Sequence, residues 1–284
     1  MILKDILVNA LFFIPAVKRR RMARRPDYNP DDSVDRMAER VQEKAALLRE
    51  IGPDSLAGQT IVELGPGGDF ALEIALVGLG AARTICIDRD PYCLPKHPER
   101  VRALYRRIAA EHGLPPGPGD RAPWHPPLSP EQFEYLVGKG IEREDRVPAG
   151  SVDLMCSFAV LEHLRDLNRA FAAMARLLKP GGWMIHQVDL RDHTDFDRPL
   201  AFLTFSEWLW RAWRWNLSYM NRVRWGAYPP LLEANGLRLV DWRPTHRLSA
   251  EDLSSSVPRL ARRFRRLSED DLCTLGVVFA AQKR

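Results

Sequence analysis

Residues Val62-Glu63-Leu64-Gly65-Pro66-Gly67-Gly68-Asp69 constrain the fold of this chain most tightly, because they join an apolar strand to a helix through a glycine turn. Thr60 to Leu64 reads as a buried strand. Gly65 and Gly67 let the backbone reverse and approach a ligand with no Cβ in the way. The helix that follows carries Phe70, Leu72, Ile74, Ala75 and Leu76. A strand that feeds a helix in this way belongs to a sheet whose ligands lie beyond the carboxyl ends of its strands.

A dinucleotide-binding loop needs a third Gly or Ala where helix and strand pack closely and the helix start faces a pyrophosphate. That position is Phe70. The loop therefore suits a nucleoside ligand without a pyrophosphate, and Glu63 offers its carboxylate to a cationic or amine-bearing group. Twenty-three residues after Gly65, the run Ile85-Cys86-Ile87 ends in Asp88, where an acid caps the second strand and takes ribose hydroxyls.

Three further blocks complete the pattern: Val152-Asp153-Leu154-Met155-Cys156-Ser157, Val160-Leu161-Glu162-His163-Leu164 and Leu178-Lys179-Pro180-Gly181-Gly182. With the glycine loop and Asp88 they resemble, in order and spacing, a class I S-adenosylmethionine-dependent methyltransferase of the broad small-molecule type, over residues 60 to 188. The resemblance implies S-adenosylmethionine as cofactor, held by Glu63, Gly65, Gly67, Asp88, Ser157, Glu162 and His163. It also implies an acid after the third strand for the adenine, a place for which Glu144 and Asp145 are weak candidates.

The same blocks make physical sense alone. Leu164, Leu167, Phe171, Met174 and Leu178 mark one helical face, which Pro180 and Gly181 are expected to end. Alternating strands and helices imply an α/β, doubly wound Rossmann-like sheet. Seven strands are expected, mostly parallel, with Leu237 to Trp242 and Leu275 to Ala281 as a closing antiparallel pair. We divide the chain into an amphipathic and basic extension, 1–50, and a cofactor-binding domain, 51–284, with insertions at about 95–135 and 190–232. In the first insertion Val101 to Glu111 reads as a basic helix, and seven prolines between Gly113 and Pro130 favour an extended loop. Cys86, Cys93, Cys156 and Cys273 have no metal-ligand spacing, so no metal is expected and a reduced, cytoplasmic protein is.

Net charge is +5, yet residues 1–25 hold seven basic residues against Asp5 alone, so the remainder is close to neutral. That asymmetry argues against a broad nucleic-acid footprint. Leu3, Ile6, Leu7, Ala10, Leu11 and Ile14 form an apolar helical stripe too short to span a bilayer. Two readings stay open: a peripheral contact with the inner face of a membrane, or a helix packed on the domain.

His186-Gln187-Val188-Asp189-Leu190-Arg191-Asp192-His193 places six polar or ionisable residues beyond the fifth strand. An acceptor hydroxyl or ammonium must lose a proton, for which an imidazole is suited. His186 and His193 are the candidates, with Asp189 or Asp192 orienting them. The opposing reading is a structural network closing a loop. Arg191, Asp192, Asn221, Arg222 and Arg224 are candidate acceptor contacts.

Trp208, Trp210, Trp213, Trp215 and Trp225 crowd one segment, read as a packed helical lid or as an acceptor or membrane surface. Arg259, Arg262, Arg263, Arg265 and Arg266 are expected on a helix whose Leu260, Phe264 and Leu267 face inward. The expected function is methyl transfer to an O or N of a small-molecule or glycan- or lipid-linked acceptor. The alternatives are a nucleic-acid methyltransferase and a non-catalytic cofactor-binding scaffold. Against nucleic acid, Ser157-Phe158-Ala159-Val160 lacks the Asn or Asp, two prolines and aromatic used by many base-amino methylating enzymes.

Overall fold

The computed structural model describes residues 2–11, 14, 17, 20, 32–91, 98–115, 125–214 and 219–284. Its centre is a sheet of seven strands: β1 (Thr60–Leu64), β2 (Arg83–Asp88), β3 (Phe133–Val137), β4 (Val152–Phe158), β5 (Leu178–Asp189), β6 (Leu237–Arg247) and β7 (Thr274–Lys283). They lie in the order β3-β2-β1-β4-β5-β7-β6. Only β7 runs antiparallel to its neighbours, β5 and β6, as expected for the fold class. The chain runs outward from β1 to β3 and then returns to β4, which pairs with β1. That reversal opens a crevice above the carboxyl ends of β1 and β4.

Apolar residues on both strand faces draw helices to both sides. On one side pack α2 (Val34–Ile51), α3 (Ala71–Gly78) and α4 (Pro98–Glu111); on the other pack α5 (Leu167–Leu177) and α7 (Tyr228–Ala234). Ser33 caps α2 by accepting the Arg36 amide. The helix buries Met37, Val41, Ala45, Leu48 and Ile51 against the sheet. A boundary at residue 51 thus falls at the end of a core helix, and only the segment before α2 is an extension. There α1 (Ile2–Leu11) packs on α6 (Glu207–Arg214), with Asn9 Nδ2 donating to the Ala212 carbonyl at 2.7 Å. Lys18, Arg19, Arg21, Arg24, Arg25, Cys93 and Trp215 lie outside the described residues.

Helix α5 stops at Leu177, and Gly181, at φ +76°, is not its cap. Gly181 instead turns the first part of β5, where the register against β4 shifts between Val152 and Leu154. A Cβ on Gly182 would lie 2.9 Å from the Lys179 carbonyl oxygen, so this turn needs a glycine there.

A third apolar cluster joins Leu200, Phe202, Trp210 and Trp213 to Leu253, Leu260 and Phe264. The tryptophans of 205–228 are therefore divided: Trp210 and Trp213 pack here, Trp225 packs on Tyr228 and Phe279, and Trp208 is 76% exposed. The arginine run forms two 3₁₀ turns, Val257–Arg259 and Phe264–Arg266, in place of the expected helix, although Leu260 and Phe264 do point inward.

Candidate active site

At the end of β1, Gly65 adopts φ +64°, and its amide donates to the Ile87 carbonyl at 2.9 Å. A Cβ there would lie 2.7 Å from Val160 Cγ2, so the residue after β4 packs directly on the loop. Gly67, at φ +85°, has no atom within 4 Å of its would-be Cβ, which leaves an open cradle above the loop. Phe70 is buried between Phe133 and Tyr135, with ring centroids 4.8 and 4.9 Å away. Its amide donates to the Tyr105 hydroxyl at 2.9 Å, and the Ala71 amide donates to Asp69 at 3.0 Å. Protein oxygens thus take the helix-start amides that a pyrophosphate would need.

The Glu63 carboxylate is 3% exposed, and its Oε1 accepts no hydrogen bond. Lys44 Nζ stands 3.8 Å from that oxygen and 4.6 Å from the Phe158 ring centroid. Behind it, Glu73 accepts the Cys86 thiol at 2.9 Å; burial and the neighbouring Glu63 push its carboxyl well above the ordinary range. Asp88 is 9% exposed and accepts the Asp90 amide at 3.3 Å. Burial raises its carboxyl to about 7. An orphaned buried acceptor, an open glycine cradle and a buried acid on the next strand fit S-adenosylmethionine: Glu63 for its amine, Gly65 and Gly67 for close approach, Asp88 for its ribose diol. Lys44 and Tyr105 escaped the sequence reading because both lie on flanking helices with no spacing signal.

Neither candidate for the adenine stands free. Glu144 is buried against Arg146, which donates from Nε at 2.9 Å and from its own amide at 2.7 Å. Asp145 is exposed and pairs with Lys139. Glu142 is the first acid after β3, on the 3₁₀ turn Ile141–Arg143.

Ser157 and His186 are fully buried and share a 2.7 Å hydrogen bond between Oγ and Nδ1. The His186 ring lies beside Phe279, and burial lowers its pKa to about 3. Both side chains are turned into the sheet and hydrogen-bond to each other, an arrangement that fits a structural pair. The sequence hid this because β5 is covered on both faces, so Met184, Ile185 and His186 are all buried.

A second polar centre forms beyond the ends of β4 and β5. Glu162 and His163 come from the 3₁₀ turn after β4, Asp189 ends β5, and His193 returns from the loop. His193 Nε2 lies 3.6 Å from Asp189 Oδ2 and 3.9 Å from Glu162 Oε1. Its ring centroid is 5.0 Å from that of His163. Glu162 is 1% exposed, its Oε1 accepts the Asp189 amide at 3.3 Å, and its Oε2 has no partner. Burial raises Glu162 to about 8 and lowers His163 to about 4. His163 is then neutral, and its Nδ1 faces the Tyr219 carbonyl at 2.7 Å, so Nδ1 carries the proton and Nε2 the lone pair. Burial would raise Asp189, but His193 and the fork of Arg191, at 2.9 and 2.7 Å, hold it well below the carboxylate range.

The remaining acceptor candidates do structural work. Asp192 is buried and accepts the Thr194 amide and hydroxyl, at 2.8 and 2.7 Å. Asn221 donates to the carbonyls of Leu161 and Leu164. Arg222, at φ +60°, donates to the carbonyls of Phe202 and Phe205 and pairs with Glu207. Arg224 donates to the carbonyls of Leu190, Asp271, Leu272 and Thr274. Arg224 thus ties the insertion to the start of β7, Asn221 ties it to the turn after β4, and Arg222 holds it to residues 202–207.

The strand order and the glycine-and-acid edge define a class I S-adenosylmethionine-dependent methyltransferase fold. A family model described as a methyltransferase domain matches residues 34–241, and the chain belongs to that family. A stretch of 49 residues is 51% identical to the ribosomal RNA small subunit methyltransferase A of Methylobacterium radiotolerans; it covers 17% of this chain and 16% of that protein. A Haemonchus contortus phosphoethanolamine N-methyltransferase 2, solved with S-adenosyl-L-methionine, superposes with a TM-score of 0.50 at 17% identity, over 85% of this chain and 52% of that one. An S-adenosylmethionine-dependent methyltransferase from Mesorhizobium loti gives 0.48 at 15% identity, over 88% and 100%. At 17% identity the likeness to the Haemonchus contortus enzyme is one of fold.

Proposed function

We propose that the protein transfers a methyl group from S-adenosylmethionine to an oxygen or nitrogen of a small-molecule or glycan- or lipid-linked acceptor. The convergence of Glu162, His163, Asp189 and His193 beyond β4 and β5 carries this reading, since Val160, two residues from Glu162, already packs on Gly65 of the cofactor loop. When bound, the cofactor supplies an electrophilic methyl on a sulfonium. Glu63, Gly65, Gly67 and Asp88 hold and orient it, and the four-residue centre meets the acceptor atom and takes up its proton. His193, held by Asp189 and 21% exposed, is the member of that centre that faces an incoming acceptor.

The test is incubation with methyl-tritiated S-adenosylmethionine and a cell extract separated into small-molecule, lipid and RNA fractions. Label in the small-molecule or lipid fraction, lost with His193→Ala, is expected. Label confined to RNA would replace this acceptor class with the nucleic-acid alternative.

Among the described residues no helix is long and apolar enough to cross a membrane. A peripheral contact through residues 1–25 in the cytoplasm belongs to the same reading. It is supported by Leu7 and Leu11, 68% and 50% exposed on a helix whose other face is packed, and by the basic residues that follow in sequence. Flotation with anionic vesicles, lost on removal of residues 1–25, checks it.

A further inference from the structure

The centre beyond β4 and β5 has the wrong inventory for a hydrogen-bond network and the right one for a cation. Two of its side-chain atoms are left over. His193 Nε2 and Glu162 Oε2 are both buried without a hydrogen-bond partner, and the 3.6 and 3.9 Å separations around His193 are too long for hydrogen bonds. Among the described residues, Arg191 pairs with Asp189, and no Lys or Arg ion pair reaches Glu162. A buried acceptor oxygen with no partner is costly, and a bound cation would satisfy it.

We propose that Glu162, His163 and His193, with Asp189 beside them, bind a divalent transition-metal ion of the Zn2+ class. One ligand atom from each of Glu162, His163 and His193 lies within 4.8 Å of the others. Ligands at about 2.0–2.2 Å from a shared zinc stand roughly 3.5 Å apart, so closure needs only a modest inward shift. His193 lies on a loop and Phe196 stacks on it at 6.1 Å, so this ring can make the adjustment.

The surroundings match what metal ligands require. The Tyr219 carbonyl fixes the His163 tautomer with its Nε2 lone pair toward the cluster, the usual outer support of a ligating imidazole. Two imidazoles and a carboxylate select zinc, iron, cobalt or manganese over magnesium, which prefers oxygen. No ion was expected from the sequence because Glu162 and His163 are thirty residues from His193 and form no compact ligand spacing.

The choice of acceptor that follows rests on the methyl-transfer reading; the binding of the ion does not. Three protein ligands leave a coordination position open. A hydroxyl or phenol oxygen enters such a position and an ammonium, having no lone pair, does not. The ion thus favours an oxygen acceptor over a protonated amine. With the ion bound the His193 lone pair is occupied, so the O–H proton passes to solvent and not to that imidazole; the O–CH3 bond forms as the S–CH3 bond breaks, and the sulfonium leaves as a neutral thioether.

The test is calorimetric titration of the chelator-stripped full chain with ZnCl2 and, in parallel, with S-adenosylhomocysteine, plus the visible spectrum with CoCl2. Wild type should bind one Zn2+, and the cobalt form should show d–d bands without thiolate charge transfer. Folded His193→Ala and His163→Ala should each lose at least about tenfold in Zn2+ affinity. No Zn2+ binding by wild type, or equal binding by a variant shown to be folded by circular dichroism, overturns the site. S-adenosylhomocysteine binding without Zn2+ binding rejects the ion and keeps the transferase, and the converse rejects the transferase and keeps the ion.

Discussion

Replacing Asp88 with Asn should strengthen the empty protein and weaken its grip on the cofactor product, with opposite dependences on pH. Burial holds the Asp88 carboxyl at about 7 against an ordinary 3.8. A raised acid means that the folded state binds the proton more tightly than the unfolded chain. Its stability contribution is therefore full below about pH 4, falls as pH rises toward 7, and is flat above. That interval converts to about 4 kcal/mol as an upper bound. Because an asparagine amide is also desolvated there, we expect a net gain of about 2 kcal/mol for Asp88→Asn at pH 8, and none at pH 4. Thermal unfolding should show a Tm about 4 °C higher for the variant at pH 8. Ribose hydroxyls donate best to the ionised carboxylate, so S-adenosylhomocysteine affinity should fall roughly tenfold per pH unit below 7 in wild type. It should be flat, and about 30-fold weaker at pH 8, in the variant. A variant less stable than wild type at pH 8, or two parallel affinity profiles, would refute the burial of a charge awaiting a diol.

Gly65→Ala must hold φ +64° and set a methyl 2.7 Å from Val160 Cγ2. We expect roughly 1–2 kcal/mol of strain and at least tenfold weaker S-adenosylhomocysteine binding by calorimetry. Arg224→Met strands the carbonyls of Leu190 and Thr274. Urea unfolding should show a loss of about 3 kcal/mol, with cofactor affinity retained in the folded fraction. His186→Ala leaves Ser157 without its partner and opens a cavity beside Phe279. It should lose about 2–3 kcal/mol of stability while keeping S-adenosylhomocysteine binding, the mark of a core residue.

The strand-end pattern proposed to hold the cofactor is written locally. Glu63, Gly65, Gly67 and Asp88 lie at strand ends, where backbone geometry dictates residue type, and their spacing survives any choice of acceptor. Phe70 was equally readable as the residue that excludes a pyrophosphate. The acceptor side is assembled from residues far apart in sequence, and polarity did not separate contact from scaffold. Arg222 and Arg224 look like anion forks until their donors are found on backbone carbonyls. His186 and His193 are equivalent on paper, yet one is sealed in the sheet and the other stands in the loop beside Asp189. Gly181 misled for a smaller reason, since its positive φ serves the start of a strand and not the end of a helix.

Calorimetric titration of the purified chain with S-adenosylhomocysteine, beside NADH and with Asp88→Ala as control, tests the central claim most directly. The account predicts saturable one-to-one binding of S-adenosylhomocysteine, none of NADH, and loss of binding in Asp88→Ala. Absence of S-adenosylhomocysteine binding by folded wild type, or equal affinity in the variant, would contradict it.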